Sequence, residues 1–69
     1  MTTITLTAPD ISCDHCKQAI EREVGALTGV ERCAVDVPAR QVTVTFDPAH
    51  VSREQIVGTL DDEGYPVAD

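Results

Sequence analysis

The sequence predicts an α+β domain of element order βαββαβ, in which two helices cover one face of a four-stranded antiparallel sheet. Apolar and polar residues alternate in three segments, apolar residues recur at three- and four-residue steps in two others, and turn-forming residues separate the segments. Because each strand has one apolar face, both helices must pack on the same side of the sheet. This is a ferredoxin-like arrangement, and right-handed crossovers predict the strand order 4-1-3-2.

The first strand and the first helix are predicted from adjoining patterns. Residues 2–8 alternate between apolar and polar types, and Pro9-Asp10 ends the strand. From about Asp14 to Leu27 apolar residues recur at helical spacing, which indicates a helix with one buried face. That predicted face consists of Cys16, Ala19, Ile20, Val24 and Leu27.

The second half of the chain is predicted to form two paired strands, a second helix and a short final strand. Glu31 to Val37 and Gln41 to Phe46 alternate and are separated by a short turn, so they are predicted to pair as antiparallel strands. Ser52-Arg53-Glu54-Gln55 fits a capping box and predicts the start of a second helix, with Ile56, Val57 and Leu60 buried. Tyr65 to Ala68 is predicted to form a short fourth strand.

Length and charge limit the classes of function. With 69 residues we expect one domain spanning 1–69, too small for a sizeable catalytic cleft. The net charge of -7 argues against binding nucleic acid or an anionic membrane, and is compatible with a basic protein partner. No apolar stretch approaches the roughly 18 residues that indicate a membrane span, and no signal sequence is recognisable. The expected location is therefore the cytoplasm.

The chemistry-bearing motif is Cys13-Asp14-His15-Cys16, where the first strand gives way to the first helix. A Cys-x-x-Cys pair converges on one metal ion or forms one disulfide, so by itself it leaves both alternatives open. A closed structural zinc site needs four ligands, and neither a second Cys-x-x-Cys motif nor a suitable His pair follows. Soft thiolates favour Cu(I), and an open pair suits transfer of the ion.

The predicted topology decides which loops lie near the thiols. If the first strand runs upward, the Cys13–Cys16 loop, the turn before Gln41 and the connection at Gly64-Tyr65 all lie at the top of the sheet. Tyr65 is therefore a candidate neighbour of the thiols, although it is equally explained as a packed aromatic residue. His50 is placed at the bottom, far from the thiols.

The chain resembles the heavy-metal-associated domain family, and its length is similar to that of free-standing bacterial copper chaperones. The resemblance rests first on Ser12-Cys13-Asp14-His15-Cys16 after a first strand. Three further motifs of the family occur in order: Gly29-Val30, Phe46-Asp47-Pro48 and Glu63-Gly64-Tyr65. Where the family usually has Gly-Met, this chain has Asp10-Ile11, and Ile11 is expected to anchor the loop in the core.

The resemblance implies a non-enzymatic copper carrier that takes part in metal transport and copper homeostasis. It implies that Cys13 and Cys16 bind Cu(I), with Tyr65 nearby, and that the ion passes to a partner by thiolate exchange. The implied partner is a copper-transporting P-type ATPase or its metal-binding domain, with a copper-responsive repressor as another candidate. A metal-bridged homodimer is a further expectation.

Several alternatives stay open at this stage. His15 either supplies a third ligand or faces solvent, and Cys33 is expected in the core as a small apolar residue. The same thiolates accept Hg(II), Zn(II) or Cd(II), and a small dithiol redox protein is the alternative from a different class. The acidic run 61–63 is either a solvated helix end or a face for a basic partner.

Overall fold

The computed structural model describes residues 1–68, which form three strands and two helices. In chain order these elements are β1 (Thr2–Thr7), α1 (Asp14–Gly25), β2 (Val30–Asp36), β3 (Gln41–Phe46) and α2 (Arg53–Asp62). The order βαββα is as predicted up to the end of the second helix. The bounds of the predicted elements are shifted by no more than two residues.

The three strands form one antiparallel sheet with the spatial order β1-β3-β2. Thr7 pairs with Gln41 at one end of the sheet, and Thr2 pairs with Phe46 at the other. β2 pairs with β3 through a register shift between Val30 and Arg32, which leaves one extra residue in β2. The predicted order of the first three strands is therefore confirmed, with β3 in the centre.

The prediction of a fourth strand is wrong for the described residues. Ala68 reaches β1, because its N–H donates to the Thr7 carbonyl at 2.8 Å, but residues 65–68 have no strand structure. Pro66 has no N–H to donate, so it removes one possible ladder hydrogen bond from this segment. The sheet within residues 1–68 is consequently three-stranded, not four-stranded.

Both helices contribute to one apolar core on a single face of the sheet, as predicted. The alternating residues of the strands face this core, and α1 packs on β2 and against α2. Cys16, Leu27, Cys33 and Val57 are partly buried and pack against its edge. The fully or almost fully buried residues are Leu6, Ala8, Ile11, Ile20, Val24, Val35, Val42, Val44, Phe46, Val51, Ile56 and Leu60.

The start of α2 shows the capping box that the sequence predicts. The Ser52 hydroxyl accepts a hydrogen bond from the Gln55 N–H at 3.2 Å, and the Gln55 side-chain oxygen accepts one from the Ser52 N–H at 3.0 Å. These two bonds satisfy backbone donors that a helix start otherwise leaves without partners. The carboxyl end of α2 leads to Tyr65, which hydrogen-bonds to Cys16 of the Cys-x-x-Cys motif.

Candidate metal centre

The loop between β1 and α1 is held to the core by Ile11. Its side chain is completely buried, and its backbone N–H donates to the Ala8 carbonyl at 3.1 Å. Ser12 and Cys13, which follow directly, are both exposed. A buried apolar side chain two positions before an exposed thiol thus anchors the loop as expected, with Asp10-Ile11 in place of the family's usual pair.

The two thiols of the motif lie side by side at the start of α1. Cys13 is the N-cap residue of the helix and is exposed, whereas Cys16, in the first turn, is half-buried. Their Sγ atoms are 3.6 Å apart, and both cysteines are free. Thiolate–metal bonds of about 2.3 Å, as in zinc sites, allow two sulfurs on one ion to be at most about 4.6 Å apart. The observed separation therefore fits two ligands on a single soft ion.

The environment of Cys16 favours its thiolate form. Its pKa is lowered from 9.0 to about 6, mainly because the Tyr65 hydroxyl hydrogen-bonds to the sulfur. The Ser12 backbone lowers the pKa further, partial burial opposes this, and Cys13 adds smaller favourable contributions. The thiolate is the form that ligates metal, so the lowered pKa of Cys16 favours metal binding at this sulfur.

Tyr65 lies next to the thiols, as the predicted topology indicated. Its N–H donates to the Leu60 carbonyl at 2.8 Å, and the preceding Gly64 has a φ of +88° that turns the chain back toward the loop. The hydrogen bond to Cys16 raises the pKa of Tyr65 to about 12, because the hydroxyl must keep its proton in order to donate it to the sulfur. The charge of Glu63 raises this pKa further. The tyrosine hydroxyl is therefore a donor to sulfur.

The histidine and the carboxylates near the pair are exposed. His15 is exposed in the first turn of α1, and within residues 1–68 no group of three or more His, Cys, Asp or Glu side chains is arranged to hold a metal ion. Asp10, Asp14 and the acidic run 61–63 are all exposed. The centre that the structure presents is thus a two-sulfur site with carboxylates in its surroundings.

Cys33 and His50 lie elsewhere, as predicted. Cys33 pairs with Val44 in the sheet and packs against the core, and burial together with the charge of Glu21 raises the pKa of its thiol to about 11. His50 contacts the Asp47 carboxylate at 3.0 Å, close to Gly29 at the opposite end of the sheet. Neither residue belongs to the Cys13–Cys16 centre.

Two contacts near the centre were not predicted from the sequence. The Ser12 hydroxyl is 4.0 Å from the Cys16 sulfur, and the Arg40 guanidinium donates to the Pro9 carbonyl at 3.4 Å. Arg40 belongs to the turn between β2 and β3, which the topology had already placed at this end of the sheet. That placement was the available signal, but it does not specify which turn residue reaches the loop.

Neither helix in residues 1–68 has the length and apolar composition needed to cross a membrane.

Known proteins similar to this chain include carriers of two different metals. The chain is 42% identical over 64 residues to the copper chaperone CopZ of Bacillus subtilis, covering 93% of each protein. It is 31% identical over 64 residues to the mercuric transport protein periplasmic component of Serratia marcescens, covering 93% of this chain and 70% of that protein.

Solved structures agree with this relationship. A CopZ metallochaperone superposes with a TM-score of 0.94 at 31% identity, covering 97% of this chain and 100% of the other. A copper binding domain from HMA7, a P-type ATPase, superposes with a TM-score of 0.93 at 25% identity, covering 99% of this chain and 92% of that one. The heavy-metal-associated domain model matches residues 5–66. This chain therefore belongs to the heavy-metal-associated domain family.

Proposed function

We propose that this protein is a Cu(I)-binding metallochaperone that carries one ion on Cys13 and Cys16. The observation that supports this most directly is the pair of sulfurs 3.6 Å apart, one exposed and the other with a pKa lowered to about 6. Two adjacent soft thiolates favour Cu(I) over harder ions. The similarity to copper chaperones over 93% of the chain supports the same assignment.

Delivery of the ion proceeds by ligand exchange. A thiolate of a partner protein attacks the ion beside the exposed Cys13, which gives a shared three-thiolate intermediate before this chain's sulfurs are displaced. An open two-sulfur site leaves room for the incoming ligand, whereas a closed four-ligand site would not. This exchange makes and breaks only metal–sulfur bonds, and we assign no enzymatic activity.

Three neighbouring residues have supporting roles in this proposal. Ile11 holds the loop from below, and Tyr65 stabilises the Cys16 thiolate, which is the form that binds metal. His15, exposed between the two cysteines, is the candidate third ligand. Its test is Cu(I) competition with His15→Ala between pH 5 and 8, where histidine titrates, and equal affinities throughout would remove it from the ligand set.

We propose a copper-transporting P-type ATPase, or its metal-binding domain, as the recipient in the cytoplasm. The similarity of fold between this chain and the copper binding domain of a P-type ATPase supports a transfer between two like domains. A copper-responsive repressor is a second candidate recipient, and a metal-bridged homodimer is a candidate loaded state. The net charge of -7 disfavours nucleic acid as a partner.

Mercury is the second candidate cargo. Two thiolates bind Hg(II) as well as Cu(I), and the similarity to mercuric transport proteins extends over 93% of this chain. Zn(II) and Cd(II) are further ions that the same sulfurs accept. Parallel titrations of the reduced protein with each ion, in competition with a chelator for that ion, separate these carriers.

The decisive experiment is a Cu(I) titration against a competing chelator. The wild-type protein is expected to withhold one equivalent of Cu(I), and the double variant Cys13→Ser, Cys16→Ser to withhold none. Cys33→Ala is the matched control, because it removes the third cysteine without touching the pair. Equal affinity in the double variant would refute the site, and catalysis of disulfide exchange without tight Cu(I) binding would favour a dithiol redox protein.

A further inference from the structure

We propose that Arg40 is a positioning residue for the thiol loop. It would fasten residues 8–11 to the turn between β2 and β3, and thereby hold Cys13 and Cys16 in the geometry that binds metal. The inference about metal affinity rests on the proposed function, whereas the inference about the loop concerns the metal-free protein. None of the family motifs named above includes this residue.

The backbone of Arg40 is in an unusual conformation. Its φ is +56°, the left-handed region that L residues other than glycine rarely adopt. The turn is closed by the Arg40 N–H, which donates to the Val37 carbonyl at 3.1 Å, and by the Ala39 N–H, which donates to the Asp36 carboxylate at 3.2 Å. Glycine would satisfy this backbone with less strain, so the arginine side chain is not explained by the turn alone.

Both the backbone and the side chain of Arg40 contact the loop before the thiols. Its carbonyl accepts a hydrogen bond from the Ala8 N–H at 2.9 Å, and its guanidinium donates to the Pro9 carbonyl at 3.4 Å. The Ala8 carbonyl in turn accepts from the N–H of Ile11 at 3.1 Å. Two consecutive loop residues are thus tied to one turn residue.

This chain of contacts leads to the metal centre. Ile11 precedes Ser12, whose backbone and hydroxyl both approach the Cys16 sulfur. If residues 8–11 detach from the turn, the position of Ser12 relative to the sulfur is no longer determined. The apparent affinity of a site falls in proportion to the fraction of molecules in the binding-competent conformation, so loosening the loop weakens metal binding.

The expected size of the effect follows from the loss of one hydrogen bond. The net free energy that a single protein hydrogen bond typically contributes corresponds to a change of roughly threefold to tenfold in the equilibrium constant for opening of the loop. We therefore expect amide hydrogen exchange at Ala8 and Ile11 to accelerate by about that factor when the guanidinium is removed. Cu(I) affinity should fall in the same direction and by no more than the same factor.

Two substitutions at this position separate the side chain from the backbone. Arg40→Met removes the donor but retains a side chain in the left-handed conformation, whereas Arg40→Gly removes the donor and relieves the strain. Both should accelerate exchange at Ala8 and Ile11, and Arg40→Gly should do so without lowering the unfolding temperature. Arg53→Met, at an exposed position in the first turn of α2, is the matched control for the lost charge and should change neither amide.

Each result then has a separate meaning. Unchanged exchange at Ala8 and Ile11 in Arg40→Met would overturn the proposal, as would uniform acceleration throughout the sheet, which would indicate a loss of global stability. Accelerated loop exchange with unchanged Cu(I) affinity would overturn the link between the anchored loop and the metal-binding geometry. If the wild-type protein fails to bind Cu(I), the proposed function fails, but the exchange measurements on the metal-free protein still decide whether Arg40 anchors the loop.

Discussion

The Tyr65 hydroxyl donates a hydrogen bond to the Cys16 sulfur, and this bond shifts the pKa values of the two groups in opposite directions. The pKa of Cys16 falls to about 6 and that of Tyr65 rises to about 12, because the hydrogen bond needs the hydroxyl protonated and is strongest to the thiolate. The half-buried Cys16 is thus favoured as the thiolate that binds a metal cation, while Cys13 remains exposed to an incoming ligand. A single aromatic hydroxyl thus connects the last loop to the first.

Removing this hydroxyl should raise the pKa of Cys16. Tyr65→Phe retains the ring and its packing but loses the donor, so the thiol should titrate above about 6 and closer to its ordinary value of 9.0. The measurement is the ultraviolet absorbance of the thiolate in the metal-free protein as a function of pH. Cys16→Ser identifies the transition that belongs to Cys16, and an unchanged transition in Tyr65→Phe would contradict the assigned contact.

At the level of elements, two glycine turns determine how the chain enters β2 and leaves α2. Gly29 and Gly64 have φ values of +98° and +88°, in the region that favours glycine. They differ in their surroundings: a Cβ on Gly29 would lie 2.6 Å from the Cβ of His50, whereas nothing lies within 4 Å of one on Gly64. The first turn is therefore restricted by conformation and packing, and the second by conformation alone.

These two glycines make a matched pair for substitution. Gly64→Ala should lower the free energy of unfolding by about 1 kcal/mol, the conformational term for an L residue in this region. Gly29→Ala should lower it by more, about 2 kcal/mol or above, because the connection at Asp47–Val51 must also move. Urea denaturation of both variants tests this, and equal losses would show that the contact with His50 is unimportant.

The capping box gives a second prediction for an element. Ser52→Ala removes the acceptor for the Gln55 N–H and should lower the free energy of unfolding by about 1 kcal/mol. The measurement is again urea denaturation, with Arg53→Ala as a neighbouring exposed substitution that leaves the cap intact. A loss of the same size in the control would mean that the cap does not account for the effect.

For the whole molecule, the two shifted thiols give the stability of the metal-free protein opposite pH dependences. Between about 6 and 9.0 the folded chain has released the Cys16 proton that the unfolded chain retains, so stability rises with pH in this window. Between 9.0 and about 11 the unfolded chain releases the Cys33 proton first, so stability falls. The thiol contributions are therefore most favourable near pH 9.

This prediction is tested by the unfolding free energy measured across both windows. Cys16→Ser should remove the rise between pH 6 and 9, and Cys33→Ala should remove the fall above pH 9 that the Cys33 thiol causes. Each variant serves as the control for the other, since the two cysteines lie in different parts of the fold. A rise that persists unchanged in Cys16→Ser would show that another group titrates there.

Much of the architecture was predictable because buried apolar residues recur at short, regular intervals along the chain. Alternation in residues 2–8 and the three- and four-residue steps in α1 reflect which side of each element faces the core. The predicted capping box and the predicted order of the first three strands are confirmed. The fourth strand was predicted from its position in the plan, but residues 65–68 have no strand structure, and the Ala68 N–H donates to the Thr7 carbonyl of β1.

The sequence by itself determined the order of elements, the buried face of each helix and strand, and the end of the sheet at which Cys13 and Cys16 lie. Only the tertiary structure decided that the Tyr65 hydroxyl reaches the Cys16 sulfur, that Arg40 reaches the Pro9 carbonyl, and that residues 65–68 do not form a strand. The physical reason is the range of each interaction. Periodic burial is encoded by neighbouring residues, whereas a hydrogen bond between distant segments depends on distances that the packing of the whole core sets.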